Sequence, residues 1–177
     1  VNHYSTHRHN GKPWQLVING DMVDFLGLLL PEHVAFFEES KSWEQRTARL
    51  VHAPEKMRQV ANRHHRLFRS LARFVDGQNR IEVICGNHDI EFHHESVQKV
   101  FVEAVLAQSS ASSKAREHIT FHPWFFYDPG VVWIEHGHQY DECSSFEWTL
   151  SPTDGETKDV AVNLDAAALQ LITNHIK

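Results

Sequence analysis

The stretch WQLVINGDMVDF, residues 14–25, decides the fold that we expect for this chain. Its first half is a mostly apolar run that ends at the turn-forming pair Asn19-Gly20, and its length is that of a buried strand. Gly20 permits a sharp turn, so the Asp21 carboxylate follows at the strand's end and Asp24 lies three positions later. Because ligands of α/β folds bind at the carboxyl ends of strands, both carboxylates are candidate site residues. A strand, an Asx turn and an N-capped helix would also explain the stretch.

Two further polar clusters follow strand-like runs. The tetrapeptide GNHD at residues 86–89 comes after an apolar run at 81–85, and HGH at 136–138 comes after a β-branched and aromatic run. Carboxylate, amide and imidazole donors together suit Mn, Fe, Co or Zn better than a thiolate site or an all-oxygen calcium site. Two such ions can clamp the attacking and the leaving oxygen of a phosphoryl transfer. Asp21 is the natural bridge, since each of its oxygens can face one ion.

The motifs NGDMVD, GNHD and HGH, in this order and after strands, resemble those of the calcineurin-like metallophosphoesterases, and the resemblance covers nearly the whole chain. It implies a single domain over residues 1–177, of α/β class, with a two-sheet β-sandwich flanked by helices. It also implies a metal-dependent phosphoric ester hydrolase, acting as a phosphomonoesterase, phosphodiesterase or pyrophosphatase. Two divalent ions would be its cofactors, Mn first and Fe, Zn or Co as alternatives, and a metal-bound hydroxide would attack phosphorus.

The resemblance assigns metal ligands residue by residue. Asp21 would bridge the two ions, while Asn87 and His136 would bind the second of them. For His138 two interpretations stay open: it reaches the metal or the substrate, or it is a histidine at the end of a hairpin whose ring is satisfied by the backbone.

The catalytic histidine implied by the resemblance is His88. An imidazole next to a metal ligand can donate a hydrogen bond to a phosphoryl oxygen or protonate the leaving group near neutral pH. We expect Asp89 to orient His88 through its other ring nitrogen, and Asp24 to fix its own loop without binding metal.

Two motifs of the family are missing from the sequence. The family carries an Asp-x-His pair about 30 residues before its GDxxD motif, and it closes with Gly-His-x-His; neither is present here. We therefore expect a metallophosphoesterase domain that is incomplete at both ends, in which the first metal keeps only Asp21. Weak metal binding and little activity are expected of such a fragment.

Charge and composition restrict the partners. A formal net charge of -6 disfavours non-specific binding to nucleic acid or to an acidic membrane, whereas a bound metal would attract an anionic substrate. We expect a phosphorylated small molecule or a lipid-linked substrate. Some bacterial members of the family cleave the pyrophosphate of a lipid-sugar nucleotide, although those generally carry Arg where His88 stands. The apolar residues 25–37 could face a lipid, but packing in the core explains them better.

The alternative functions are a nuclease and a non-catalytic scaffold of the same fold. A stripe of arginines at positions 58, 66, 69 and 73 is the support for a nuclease, and a solvated helix face explains it better.

The chain shows neither an apolar run long enough to span a bilayer nor a signal-peptide layout. Cys85 and Cys143 are too few for a disulfide framework, so we expect reduced thiols and a cytoplasmic protein, with peripheral membrane association as an option.

The remaining elements are predicted from spacing and turn residues. Apolar residues at three- and four-residue intervals predict helices over residues 54–77, 95–108 and 160–176. The turn Asp128-Pro129-Gly130 predicts a hairpin between strands at 119–127 and 131–135. Pro31 indicates a helix start, and residues 109–115 and 141–159 have the composition of loops.

Overall fold

The computed structural model describes residues 1–28, 50–110, 116–153 and 159–175 of the chain. In these residues the fold is mixed α/β, with a three-stranded parallel sheet, a two-stranded antiparallel sheet and helices. The predicted α/β class is confirmed at this level. The predicted helix start at Pro31 lies outside the described residues, as do parts of the two predicted loops.

The parallel sheet has the order β1 (Gln15–Asn19), β2 (Arg80–Ile84) and β3 (Ile119–His122). Asn19 pairs with Ile84, so β1 and β2 end side by side and the residues after them share one edge of the sheet. The first two strands were predicted from their apolar runs, and both are confirmed.

The third strand was predicted with the wrong partner. Residues 119–127 were expected to form one arm of a hairpin, but β3 pairs with β2 and ends at His122. Pro123 follows, and because proline lacks an N–H it cannot continue a ladder. Only the second half of the stretch, β4 (Phe125–Asp128), forms the hairpin with β5 (Val132–Glu135).

The helices are α1 (Asn2–Thr6), α2 (Ala53–Arg63), α3 (His65–Asp76), α4 (Glu95–Leu106) and α5 (Leu164–His175). Short 3-10 segments cover Ile90–His93, Arg116–His118 and His138–Tyr140. The prediction of a helix over 95–108 is confirmed by α4. The last helix begins later than predicted, because Val160 forms an isolated β-bridge with Thr153.

One continuous helix was predicted over residues 54–77, and the structure breaks it at His64, which has φ -105° and ψ 32°. Residues 62–67 are all exposed. A regular helix lying on a core returns a side chain to it within every 3.6 residues, so six exposed residues in a row do not fit one straight docked helix. The break lets the buried positions of α2 and α3 face the core separately.

The core lies between one face of the parallel sheet and the helices α2, α3 and α4. Phenylalanine rings run through it: Phe92 meets Phe25, Phe101 and Phe121 at centroid distances of 5.7, 5.7 and 5.5 Å. Phe25 comes directly after Asp24 along the chain. The rings of Phe25 and Phe92 therefore anchor in the core the two loops that follow β1 and β2.

Among the described residues, no helix is both long enough and apolar enough to cross a membrane. Cys85 is buried, Cys143 is exposed, and neither forms a disulfide.

Candidate functional site

The loops after β1 and β2 are tied together by hydrogen bonds. The backbone N–H of His88 donates to Oδ1 of Asp21 at 3.0 Å, and the N–H of Met22 donates to Oδ2 of Asp89 at 2.7 Å. The N–H of Phe25 donates to the carbonyl of His88 at 3.2 Å. Each loop thus supplies partners for the other, and their side chains are held at one edge of the sheet.

The glycines of the motifs allow this close approach. Gly20 has φ +73° and Asp21 has φ +52°, so two successive residues in the left-handed region turn the chain after β1. A Cβ atom on Gly20 would overlap the ring of His136, and one on Gly86 would overlap the backbone N and Oδ1 of Asp21. The three motifs are therefore in van der Waals contact.

Asp21 and His136 form the central pair of the site, with Oδ2 and Nε2 at 3.3 Å. Partial burial alone would raise the pKa of Asp21, but hydrogen bonds from His136 and from the His88 backbone outweigh it, and the pKa of Asp21 is lowered. The hydrogen bond to Asp21 raises the pKa of His136. The pair is a carboxylate facing an imidazole, and the same two atoms, Oδ2 and Nε2, are able to bind a divalent ion.

His138 lies behind His136. Its Nδ1 is 3.2 Å from Nδ1 of His136, its side chain is buried, and its ring meets the edge of Phe146. Burial lowers the pKa of His138 to about 4, so it is neutral at pH 7, and its unprotonated Nδ1 can accept a hydrogen bond from Nδ1–H of His136. His138 thus orients His136.

His88 lies at the open side of the site, with 30% of its side chain exposed. Its Nδ1 is 3.4 Å from Oδ1 of Asp24, and its Nε2 is 3.9 Å from Oδ2 of Asp165. Asp24 also accepts the N–H of Gly27 at 2.8 Å, as expected of a residue that fixes its own loop. The ring of His88 is therefore flanked by carboxylates and reachable from solvent.

Asp89 does not orient His88, contrary to the prediction. Its side chain is fully buried beneath its own turn, where it accepts the N–H groups of Gly86 and Met22, both at 2.7 Å. Burial raises the pKa of Asp89 to about 6 against these hydrogen bonds. The contact expected of Asp89 is made by Asp24, because the GNHD turn directs the Asp89 carboxylate toward the backbone.

Asn87 is buried, with 7% of its surface exposed, and its Nδ2 donates to Oδ2 of Asp165 at 3.4 Å. Asp165 comes from the first turn of α5 and was missed at the sequence level. An acidic residue in the first turn of a helix is common, because it interacts favourably with the helix dipole, and this gave no reason to single it out.

The described residues contain no group of three or more His, Cys, Asp and Glu side chains arranged to hold a metal ion. Two side chains of these types, Asp21 and His136, do meet, and the third predicted ligand, Asn87, is an amide. One carboxylate oxygen, one amide oxygen and one imidazole nitrogen are a donor set that suits one borderline divalent ion. They do not provide a separate set for a second ion.

Comparisons with protein-family models, with curated proteins and with solved structures found no match to this chain. The resemblance to the metallophosphoesterases therefore depends on the three motifs and on the way the fold brings them together.

Proposed function

We propose that this protein is a metal-dependent phosphoric ester hydrolase of the metallophosphoesterase type. The observation that carries the proposal is the convergence of the three motifs around Asp21. Its carboxylate lies between the backbone N–H of His88 and the ring of His136, although these residues are far apart in sequence. The carboxyl end of a parallel sheet is also where ligands of α/β folds bind.

In this proposal Asp21, Asn87 and His136 hold one divalent ion, with Mn as the first candidate and Fe, Zn or Co as alternatives. For the second ion of a dinuclear centre, Asp21 would be the one ligand that the three motifs provide. When bound, such ions stabilise negative charge on phosphoryl oxygens and activate water for attack. His138 holds the ring of His136 through its Nδ1, as residues behind metal-binding histidines commonly do.

His88 is proposed as the catalytic residue. Asp24 contacts its Nδ1 at 3.4 Å and so orients the ring; in the doubly protonated ring Nε2 carries a proton as well. Nε2 can then donate to a phosphoryl oxygen or to the leaving oxygen of an ester. Asp89 accepts the backbone N–H groups of Gly86 and Met22, and in this way it fixes the spacing between the two loops.

The finer fold proposal is a two-sheet β-sandwich. One face of the parallel sheet is covered by helices, and β4 contacts β2, with Phe126 and Ile84 both buried. In this proposal the hairpin of β4 and β5 belongs to the second sheet.

A cavity of about 410 Å³ next to Asp24 supports a substrate with an apolar part. Apart from Asp24, Gly27 and His64, its walls are apolar side chains: Met22, Val23, Leu28, Val60, Leu67 and Phe68. This favours a lipid-linked or otherwise apolar phosphoric ester over nucleic acid.

The four arginines of the predicted stripe are exposed, but they do not lie on one helix. Arg58 lies on α2, whereas the other three lie on α3. Arg58 also pairs with Glu55 at 3.0 Å.

The proposal is tested by turnover of p-nitrophenyl phosphate and bis-p-nitrophenyl phosphate by the full-length protein, first treated with chelator and then supplied with Mn²⁺. We expect turnover that requires the added metal and that His88→Ala lowers by about 10²–10⁴-fold. Asn87→Ala should lose turnover at low metal concentration. His65→Ala, an exposed histidine on α3, is the matched control and should behave like wild type.

Absence of metal-stimulated turnover, or turnover indifferent to both Asn87→Ala and His88→Ala, would contradict the proposal. A folded protein with neither turnover nor metal binding would be the scaffold of the alternative hypothesis.

A further inference from the structure

Asp165 contacts Asn87 and His88 at the site but belongs to none of the three motifs, so the resemblance assigns it no role. We propose that it is a positioning residue, which accepts the amide N–H of Asn87 and thereby turns the amide oxygen of Asn87 toward the metal. This inference rests on the proposed function, in which Asn87 is a ligand.

The chemistry of a carboxamide makes such a partner necessary. An asparagine side chain has one oxygen that can bind a cation and one NH₂ group that can only donate, and the two are related by a flip of the amide. A buried NH₂ group needs an acceptor, since burying it unpaired is costly. Asn87 is 7% exposed, and Oδ2 of Asp165 accepts from its Nδ2 at 3.4 Å. In the flipped orientation the amide oxygen would face a carboxylate.

The backbone that carries Asp165 is held in place on two sides. The N–H of Asp165 donates to the carbonyl of Cys143 at 3.0 Å, and Nδ2 of Asn163 donates to the carbonyl of Ser144 at 2.7 Å. Oδ1 of Asn163 accepts the N–H of Ala166 at 2.8 Å, which caps the start of α5. The start of α5 is thus fastened to the segment that follows the HGH motif.

The position of Asp165 in the first turn of α5 suits a carboxylate. The helix dipole favours negative charge at a helix N-terminus, and a charged acceptor makes a stronger hydrogen bond to an amide than a neutral one does. The same oxygen is 3.9 Å from Nε2 of His88, farther than from Asn87. We therefore assign the positioning role to the Asn87 contact.

The contact itself is tested without metal, by the side-chain NH₂ signals of Asn87 in a ¹H–¹⁵N correlation spectrum of the full-length protein. The pair of signals absent from Asn87→Ala identifies the residue. We expect Asp165→Ala to shift this pair, and Glu147→Ala, which removes an exposed acid after the HGH motif, to leave it in place. An Asn87 pair that does not move in Asp165→Ala would overturn the proposal, whatever the protein binds.

The consequence for the metal is tested by Mn²⁺ affinity. Removing a partner of a metal ligand typically weakens affinity by about 10–100-fold, and we expect a loss of this size in Asp165→Ala. Asp165→Asn keeps an oxygen that can accept from Asn87 and should bind more tightly than Asp165→Ala. If Asn87→Ala weakens binding and Asp165→Ala does not, the positioning role is wrong. If Asn87→Ala itself binds Mn²⁺ like wild type, the ligand assignment of the proposed function is wrong, while the amide shift still decides the contact.

Discussion

Gly20 shows how single residues determine whether the motifs can meet. Its φ of +73° is in a region that L-residues with a Cβ rarely adopt, and the space where a Cβ would lie is taken by the ring of His136. Glycine is thus required at position 20 for two separate reasons, the positive φ of the backbone and the contact with the His136 ring. The next residue, Asp21, also has a positive φ, which aspartate tolerates better than most side chains.

These two reasons can be separated by a pair of glycine substitutions. Gly130 has φ +74°, but a Cβ there would meet nothing within 4 Å. We expect Gly130→Ala to lower the free energy of unfolding by about 1–2 kcal/mol, the cost of a left-handed L-residue. Gly20→Ala should lose about 1–3 kcal/mol more, because the His136 ring must move. Urea unfolding measures both, and equal losses would mean that the ring is not in contact with Gly20.

At the scale of elements, the site depends on how short segments are anchored in the core. The 3-10 segment Ile90–His93 follows the GNHD turn and buries Phe92 completely. The rings of Phe92 and Phe25 pack edge to face at a centroid distance of 5.7 Å, and this contact joins the segments that follow the two loops. Loosening this ring pair should loosen both loops together.

Phe92→Ala tests that anchoring. Truncating a fully buried phenylalanine costs about 3–5 kcal/mol, and we expect a loss of unfolding free energy in this range. Trp133→Ala is the control, since half of Trp133 is exposed and its ring lies on the hairpin. Chemical unfolding followed by tryptophan fluorescence for Phe92→Ala, and by circular dichroism for Trp133→Ala, gives both values. A loss in Phe92→Ala no larger than in Trp133→Ala would contradict the anchoring role.

Elements with a local cause were predictable, whereas contacts between distant segments were not. The apolar runs of β1 and β2 and the turn at Gly130 carry their own signals, and all three were found. The break at His64 was missed because apolar spacing alone does not show that residues 62–67 face solvent.

The orientation of His88 could not have been predicted from sequence spacing. Asp89 is its chain neighbour, yet the ring meets Asp24 and Asp165. Those partners depend on the pairing of β1 with β2 and on the docking of α5, both of which join residues far apart in the chain.

For the whole molecule, buried ionisable groups make stability depend on pH. Burial lowers the pKa of His93 to about 4, and its Nε2 has no hydrogen-bond partner among the described residues, so the folded protein holds this ring neutral. The pKa of an unfolded histidine is about 6.5, so between these values the unfolded chain binds more protons. The contribution of the neutral His93 ring to the free energy of unfolding is therefore lost as pH falls from about 6.5 toward 4.

His93→Asn should remove this loss, because asparagine does not titrate there and keeps a donor for the backbone of Pro123, with which His93 forms a hydrogen bond. Asp89, whose pKa is raised to about 6, acts in the opposite direction over part of the range, so only the difference between wild type and variant isolates His93. Unfolding free energies at pH 7, 5.5 and 4.5 measure it. We expect wild type to lose more stability than His93→Asn, and parallel curves would contradict a buried neutral His93.

The central claim is that the three motifs together form a divalent metal site. Binding of Mn²⁺ to the chelator-treated full-length protein, followed by the electron paramagnetic resonance signal of free Mn²⁺, tests it most directly. We predict saturable binding that Asn87→Ala and His136→Ala each weaken by at least about tenfold, and that His65→Ala leaves unchanged. Wild type without saturable binding, or binding that both ligand variants retain in full, would contradict the account.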